Sequence, residues 1–305
     1  MKKLLILVDN IGEKKEQFTQ GIKERFAPGH DLSMARFSDL TFYLEKGKVE
    51  VFITSLGKMV TDFDLVYFRR AGKGFAVLAG TLAPALDFLK VKYFDTTWGE
   101  IGPVGSKLTS MVKLAIADLP IIPSLYYWES QVEANIDTIA EKLGYPMVAK
   151  ELGIQLGRGV HLIKSKGDFD SLPIKLEGRS QNSQYLFQKY IEKEDEYRLL
   201  VLKDKVAVAE KKIATVEGEF RNNVALGARE EFLDVNSVAS EVNETAINGA
   251  KALGIQIAGA DVTVDKEGKV WLLEINRGPG LTYDTSISPE IDELAKFFSR
   301  ELDND

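Results

Sequence analysis

Ala258-Gly259-Ala260-Asp261-Val262-Thr263-Val264 and Lys269-Val270-Trp271-Leu272-Leu273-Glu274-Ile275-Asn276 read as the two strands of one hairpin. The link Asp265-Lys266-Glu267-Gly268 is a turn sequence with glycine where a positive φ is wanted. Folding about its centre sets Val264 opposite Trp271, Val262 opposite Leu273 and Ala260 opposite Ile275, which makes one face apolar. The same register sets Asp261 opposite Glu274, with Asn276 two residues along on that face. Two carboxylates and an amide then converge as oxygen ligands, the set that Mg²⁺ prefers when it also keeps waters and phosphates. A plain solvated face is the alternative reading of such alternation. Like charges set directly opposite each other are unfavourable, however, unless something positive lies between them. Arg277-Gly278-Pro279-Gly280 then breaks the strand abruptly, as a backbone does when it passes close to a ligand.

Composition bounds what the hairpin serves. At 305 residues, with 45% hydrophobic and 28% charged residues, the chain predicts two or three packed lobes with sizeable cores. A net charge of -7 argues against a general nucleic-acid or anionic-membrane surface, so an anionic ligand must be small and specifically held. The chain has no cysteine, which excludes disulfides, thiolate metal sites and cysteine nucleophiles. His30 and His161 are its only histidines, too few for a multi-histidine metal site. The apolar run at the start stops at Asp9, too short for a signal peptide, and reads as a buried first strand. With no apolar span long enough for a membrane helix, a cytoplasmic protein is expected.

Strand signals at 3–8, 49–53, 64–68 and 91–94 alternate with helical periodicity at 13–26 and 75–89. That alternation predicts an α/β layer with a largely parallel sheet over residues 1–104. Gly102, Pro103 and Gly105 mark a boundary. A central lobe over 105–183 is expected to hold helices at 107–117 and 132–143 and strands at 122–127, 146–152 and 160–163. A C-terminal lobe over 184–305 follows, with strands at 185–190, 197–202 and 206–213 in quick succession, a helix at 237–253, and the opening hairpin.

Gly157, Arg158 and Gly159 place a basic residue between two glycines, where backbone N–H groups can close over phosphate oxygens. Residues 102–107 lack Walker spacing, and no dinucleotide fingerprint follows a strand. Lys150 sits inside an apolar strand and Lys107 at the mouth of a helix. Two lysines flanking a glycine loop, with a carboxylate hairpin elsewhere, fit a triphosphate and metal held between lobes.

Taken together, these segments resemble the ATP-grasp superfamily and, within it, the RimK-like amino-acid ligases, over roughly residues 105–281. The resemblance is most specific at 258–261 and at Glu274-Ile275-Asn276-Arg277-Gly278-Pro279-Gly280, which is similar to the family's Glu-x-Asn-x-x-Pro-Gly run. It implies an ATP-grasp fold, with an N-terminal Rossmann-like domain and two lobes enclosing ATP. It also implies that Asp261, Glu274 and Asn276 bind two Mg²⁺, with Mn²⁺ as the alternative ion. Lys107 and Lys150 would contact phosphates, and Gly157, Arg158 and Gly159 would form the glycine loop. Gln188, Lys189 and Ile191 would belong to the adenine hinge, and Glu196 would meet the ribose. Arg221, in Phe220-Arg221-Asn222-Asn223, would face the transferring phosphoryl group, with Arg277 beside the metal site. The chain departs from the pattern at Ile154, Gln155 and Leu156, at Ser106, and at Gly278, where relatives commonly carry serine. These departures bear on the substrate more than on ATP.

The implied reaction joins a carboxylate and an amine. The carboxylate attacks the γ-phosphate, and the amine displaces phosphate from the resulting acylphosphate. Phosphoryl transfer of this kind depends on positioning and charge neutralisation, which suits a chain with so few histidines. Arg221, Arg277, Arg69 and Arg70 are the candidate carboxylate grips. The expected substrate is an amino acid or peptide, and the expected assembly a homodimer or larger homo-oligomer. A small-molecule kinase and a non-catalytic nucleotide-binding module are the alternatives.

Overall fold

The computed structural model describes all residues except 46–47, 73, 101–106, 153–158, 173–183, 214–228 and 305. The N-terminal part runs β1 (Lys2–Val8), α1 (Glu13–Glu24), β2 (His30–Arg36), β3 (Leu40–Glu45), β4 (Lys48–Ile53), β5 (Lys58–Met59), β6 (Leu65–Arg70), α2 (Ala76–Leu89) and β7 (Lys92–Phe94). Strands β2-β1-β6-β7 form a fully parallel sheet. The strand expected at 49–53 lies outside it, in an antiparallel β3-β4-β5 sheet, because close turns return the chain on itself at once. Leu4 to Val8 are all 0% exposed, since helices cover both faces of β1 as a parallel sheet requires.

The central part contains α3 (Lys107–Ile116), β8 (Ser124–Trp128), α4 (Glu129–Val132), α5 (Ile136–Leu143), β9 (Met147–Glu151), β10 (Val160–Ile163) and β11 (Gln184–Lys189). The single helix expected at 132–143 is instead α4, a 3₁₀ turn over Glu133–Asn135, and then α5. The four strands pair as β10-β9-β11-β8, so this sheet extends past position 183. Its apolar side packs Met147, Ala149, Tyr185 and Phe187 under Ile139 and Leu143 of α5.

The C-terminal part contains β12 (Lys193–Leu202), β13 (Lys205–Ile213), β14 (Arg229–Leu233), α6 (Ser240–Ala252), β15 (Ile257–Asp265), β16 (Val270–Arg277) and α7 (Glu290–Asp303). The strands form an antiparallel sheet in the order β14-β13-β12-β15-β16. Helix α6 covers one face, where Val242, Ala246 and Ala250 meet Ala260, Val262 and Leu272. The opposite face is apolar only in part. There Leu200, Leu202, Val208 and Ile257 join α7 and the α1 side of the parallel sheet in one core, which welds the C-terminal lobe to the N-terminal layer.

The hairpin register holds at its functional end and shifts at its tip. Asp261 lies opposite Glu274 and Ala260 opposite Ile275, as read from the sequence. Beyond a bulge the pairs become Val262 with Leu272, Thr263 with Trp271 and Val264 with Val270. Leu273 is the extra residue, and inserting it turns Leu272 and Ile275 to the same face. Helix α6 selects this arrangement: a Cβ on Gly249 would lie 2.9 Å from Leu272 Cδ2 and 3.0 Å from Ile275 Cδ1.

Candidate active site

On the face away from α6, four charged residues form a straight row across four strands. Glu210 of β13 lies opposite Arg198 of β12, Arg198 opposite Asp261 of β15, and Asp261 opposite Glu274 of β16. Alternation brings Glu196 and Lys212 to the same face one step along their strands. Asp261 is the hub. Arg198 donates Nε to Oδ1 and Nη2 to Oδ2, both at 3.1 Å, and Lys212 Nζ donates to Oδ1 at 2.7 Å. Asn276 donates its amide nitrogen to Asp261 Oδ2 at 3.2 Å, leaving its amide oxygen as an acceptor. Burial pushes the Asp261 carboxyl up, but Lys212 and Arg198 outweigh it and hold the pKa at about 2.

Glu274 receives Lys107 Nζ at 2.7 Å, a contact that joins the central part to the carboxylate hairpin. Lys150 stands on β9 opposite Leu186. Desolvation, then repulsion from Lys107, pulls its pKa down to about 8. Lys107, Lys150 and Glu274 therefore lie within electrostatic reach of one another. Glu196 is buried and paired, to Lys193 at 2.6 Å and Lys212 at 3.4 Å. The Gln188 side chain points inward and donates to Ser124 Oγ at 2.8 Å. The Lys189 N–H donates to the Pro123 carbonyl at 3.0 Å, so it is not free to meet a ligand. Ile191 is buried. Gly159 is buried too, and its carbonyl accepts from Glu151 N–H at 2.8 Å. Gly157, Arg158 and Arg221 lie outside the described residues.

Arg277 leaves the hairpin toward the N-terminal layer, its guanidinium 4.0 Å from the centre of the Trp98 ring. Its Nη1 is buried without a hydrogen-bond partner among the described residues, as is Nη1 of Arg69, which lies over Phe18 at 4.8 Å. Arg277 thus stands beside the carboxylate hairpin while facing Trp98 of the N-terminal layer.

Sequence reasoning missed Arg198, Lys212 and Glu210. The available signal was a charge two residues from another within otherwise apolar strands, Glu196 with Arg198 and Glu210 with Lys212. Oxygen donors from Asp261, Glu274 and Asn276 on one face fit a hard divalent ion, and Lys107 now holds a positive charge against them.

The chain is similar to proteins of a known family and fold. A sequence profile described as a RimK-like ATP-grasp domain matches residues 105–296, more than half of the chain. A probable alpha-L-glutamate ligase of Chromohalobacter salexigens is 37% identical over 147 residues, covering 48% of this chain and 46% of that protein. The probable alpha-L-glutamate ligase 1 of Shewanella denitrificans is 28% identical over 258 residues, covering 84% of this chain and 83% of its own. Among solved structures, the ATP-grasp ligase PsnB complexed with minimal precursor, Mg and ADP superposes with a TM-score of 0.70 at 17% identity, covering 98% of this chain and 97% of that one. D-alanyl-alanine synthetase A from Vibrio cholerae gives a TM-score of 0.66 at 16% identity, covering 99% and 98%. The fold is that of the ATP-grasp ligases, and with its profile match over the lobes that carry the charged row, the chain belongs to the RimK-like ATP-grasp family.

Proposed function

We propose that this protein is an ATP-dependent carboxylate-amine ligase acting on an amino acid or peptide. The observation that carries the reading is the contact of Lys107 with Glu274 at 2.7 Å, which joins a lysine of the central part to a hairpin face holding Asp261 and Asn276. When bound, Mg²⁺-ATP supplies the phosphoryl group that activates the acid. Asp261, Glu274 and Asn276 would hold the metal, and Lys107 and Lys150 would neutralise phosphate charge. Arg198 and Lys212 keep Asp261 ionised and fixed in direction. The segment around Gly157, Arg158 and Gly159 would close over the phosphates and exclude water from a hydrolysable acylphosphate. Gln188, Lys189 and Ile191 would line the base, and Glu196 would meet the ribose. Arg221 would face the transferring group, and Arg277 the substrate carboxylate.

Relatives named as probable alpha-L-glutamate ligases, and a structural neighbour complexed with precursor peptide PsnA2, support an amino acid or peptide substrate. A cytoplasmic homo-oligomer is the setting we propose; among the described residues no helix is long and apolar enough to cross a membrane. The test is ADP release with pooled amino acids or peptides, followed by hydroxylamine trapping. Hydroxamate supports acylphosphate chemistry. ADP with neither hydroxamate nor amide favours a kinase, and ATP binding without ADP above background overturns the enzyme reading.

A further inference from the structure

Both carboxylates of the hairpin are engaged by the protein's own donors. Asp261 accepts Arg198 Nε and Lys212 Nζ on Oδ1, and Arg198 Nη2 and the Asn276 amide on Oδ2. A carboxylate has about four lone-pair sites, so Asp261 is full. Glu274 accepts Lys107 Nζ on Oε2 at 2.7 Å. The two holds differ in kind. Arg198 and Lys212 stand on the same sheet as Asp261, whereas Lys107 opens α3 of the central part. The Lys212 and Asp261 side chains are 5% and 9% exposed, those of Lys107 and Glu274 39% and 35%. An ion pair that reaches water is weak and changes partners at little cost, so the Lys107 contact is the one able to open.

The charge balance points the same way. Three carboxylates, Glu196, Asp261 and Glu274, meet five basic groups, Lys107, Lys150, Lys193, Arg198 and Lys212. The positive excess attracts a polyphosphate and repels a lone divalent cation. Among the described residues no three acidic or histidine groups close on one point as a metal cage does.

We propose that Lys107 makes metal entry conditional on nucleotide. The proposal rests on the Mg²⁺-ATP reading of this site. In the free protein Lys107 holds Glu274 in the metal's place. When Lys107 turns to phosphate it releases Glu274, whose oxygens join the Asn276 amide oxygen as donors for the ion. The site therefore refuses the bare ion and accepts it with the nucleotide. Metal and nucleotide each raise the affinity for the other, as linkage requires, and Lys107 is the residue that couples them.

The test measures Mn²⁺ binding to the whole chain without nucleotide, by electron paramagnetic resonance of the free ion, so no turnover is involved. Lys107→Gln removes the grip and its charge, and is expected to bind Mn²⁺ about tenfold or more tightly than the wild type. If Lys107→Gln fails to fold, Lys107→Ala carries the comparison. Lys150→Gln removes a nearby charge that holds no carboxylate by hydrogen bond among the described residues, and should gain less. Adding Glu274→Gln to Lys107→Gln should abolish the gain. Equal affinities in wild type and Lys107→Gln, equal gains in the two lysine variants, or a gain that survives Glu274→Gln each overturn the proposal. Adenylyl imidodiphosphate, a non-hydrolysable ATP analogue, separates it from the reading beneath. If the wild type binds the analogue with Mg²⁺ but Lys107→Gln gains no Mn²⁺, the coupling role alone is overturned. If the wild type binds the analogue neither with nor without Mg²⁺, the Mg²⁺-ATP reading is overturned, and the proposal with it.

Discussion

Arg198 grips Asp261 through two parallel hydrogen bonds of 3.1 Å, with Lys212 adding a third contact at 2.7 Å. Planar bidentate pairing of this kind fixes direction as well as charge. Asp261→Asn keeps the outline and removes the counter-charge, leaving Arg198 and Lys212 to repel each other in a buried place. The expected cost is about 3–5 kcal/mol in urea unfolding. ADP release should fall by about a hundredfold or more, since the variant also loses a metal-type oxygen. Because the Asp261 pKa is lowered from 3.8 to about 2, its stabilising share is complete above pH 4 and is lost as pH falls toward 2. The variant should show no such loss.

Lys150 has the opposite kind of pH dependence. Its pKa of about 8 in the free protein means that the charge we propose for phosphate contact disappears as pH rises through that value. ATP affinity should therefore hold between pH 6 and 7 and weaken above pH 8, by up to about tenfold per unit. Fluorescence titration with ATP across this range reads the break. Lys150→Arg stays charged and should remove it, whatever its affinity at neutral pH. A wild-type affinity that is flat to pH 9.5 would separate Lys150 from the nucleotide.

Much of the site was legible in the hairpin letters, because alternation with period two fixes which residues share a face once a turn is located. Asp261 opposite Glu274 follows from that alone. The bulge does not, since Trp271-Leu272-Leu273 supplies apolar residues to either register and the choice is made by Gly249 of α6, distant in sequence. Arg198 and Glu210 were hidden for a related reason. Their alignment with Asp261 depends on how three strands pair, and β12 and β13 carry a register shift of their own between Leu200 and Val201. In the N-terminal layer the apolar run of β1 was plain, whereas β2, His-Asp-Leu-Ser-Met-Ala-Arg, alternates too weakly to be found. The packing of α7 onto the parallel sheet is a tertiary choice that periodicity cannot reveal.

Gly278 tests how tightly the hairpin end is set against the N-terminal layer. Its φ is +53°, and a Cβ there would lie 2.1 Å from the Arg69 carbonyl oxygen. Gly278→Ala thus combines an unfavourable backbone region with a collision against β6 of the N-terminal layer. A loss of about 3 kcal/mol or more is expected, read as a lowered melting temperature. Gly280 is the internal control: a Cβ there meets nothing within 4 Å, so Gly280→Ala should stay within about 0.5 kcal/mol. Equal effects would mean that Gly278 is not pinned against Arg69.

Asp95 offers a test in which two forces predict opposite signs. Its Oδ1 accepts backbone N–H groups of Gln256 at 2.8 Å and Ile257 at 3.0 Å, which ties the end of β7 to the start of β15. It is 0% exposed, and Oδ2 has no partner among the described residues. Burial raises the carboxyl to about 7, while the two N–H groups and Arg277 pull the other way without prevailing. A carboxyl whose pKa is higher folded than unfolded binds a proton on folding, so stability falls as pH rises from about 4 to 7. Asp95→Asn keeps the Oδ1 acceptor and removes the charge that burial disfavours. If burial dominates, the variant gains on the wild type as pH goes from 5 to 8, by about 2–4 kcal/mol in chemical unfolding. If attraction to Arg277 dominates, the variant is the less stable protein at pH 8, and the gap widens rather than closes with rising pH. The raised pKa selects the first outcome, and the sign of the difference at pH 8 decides it.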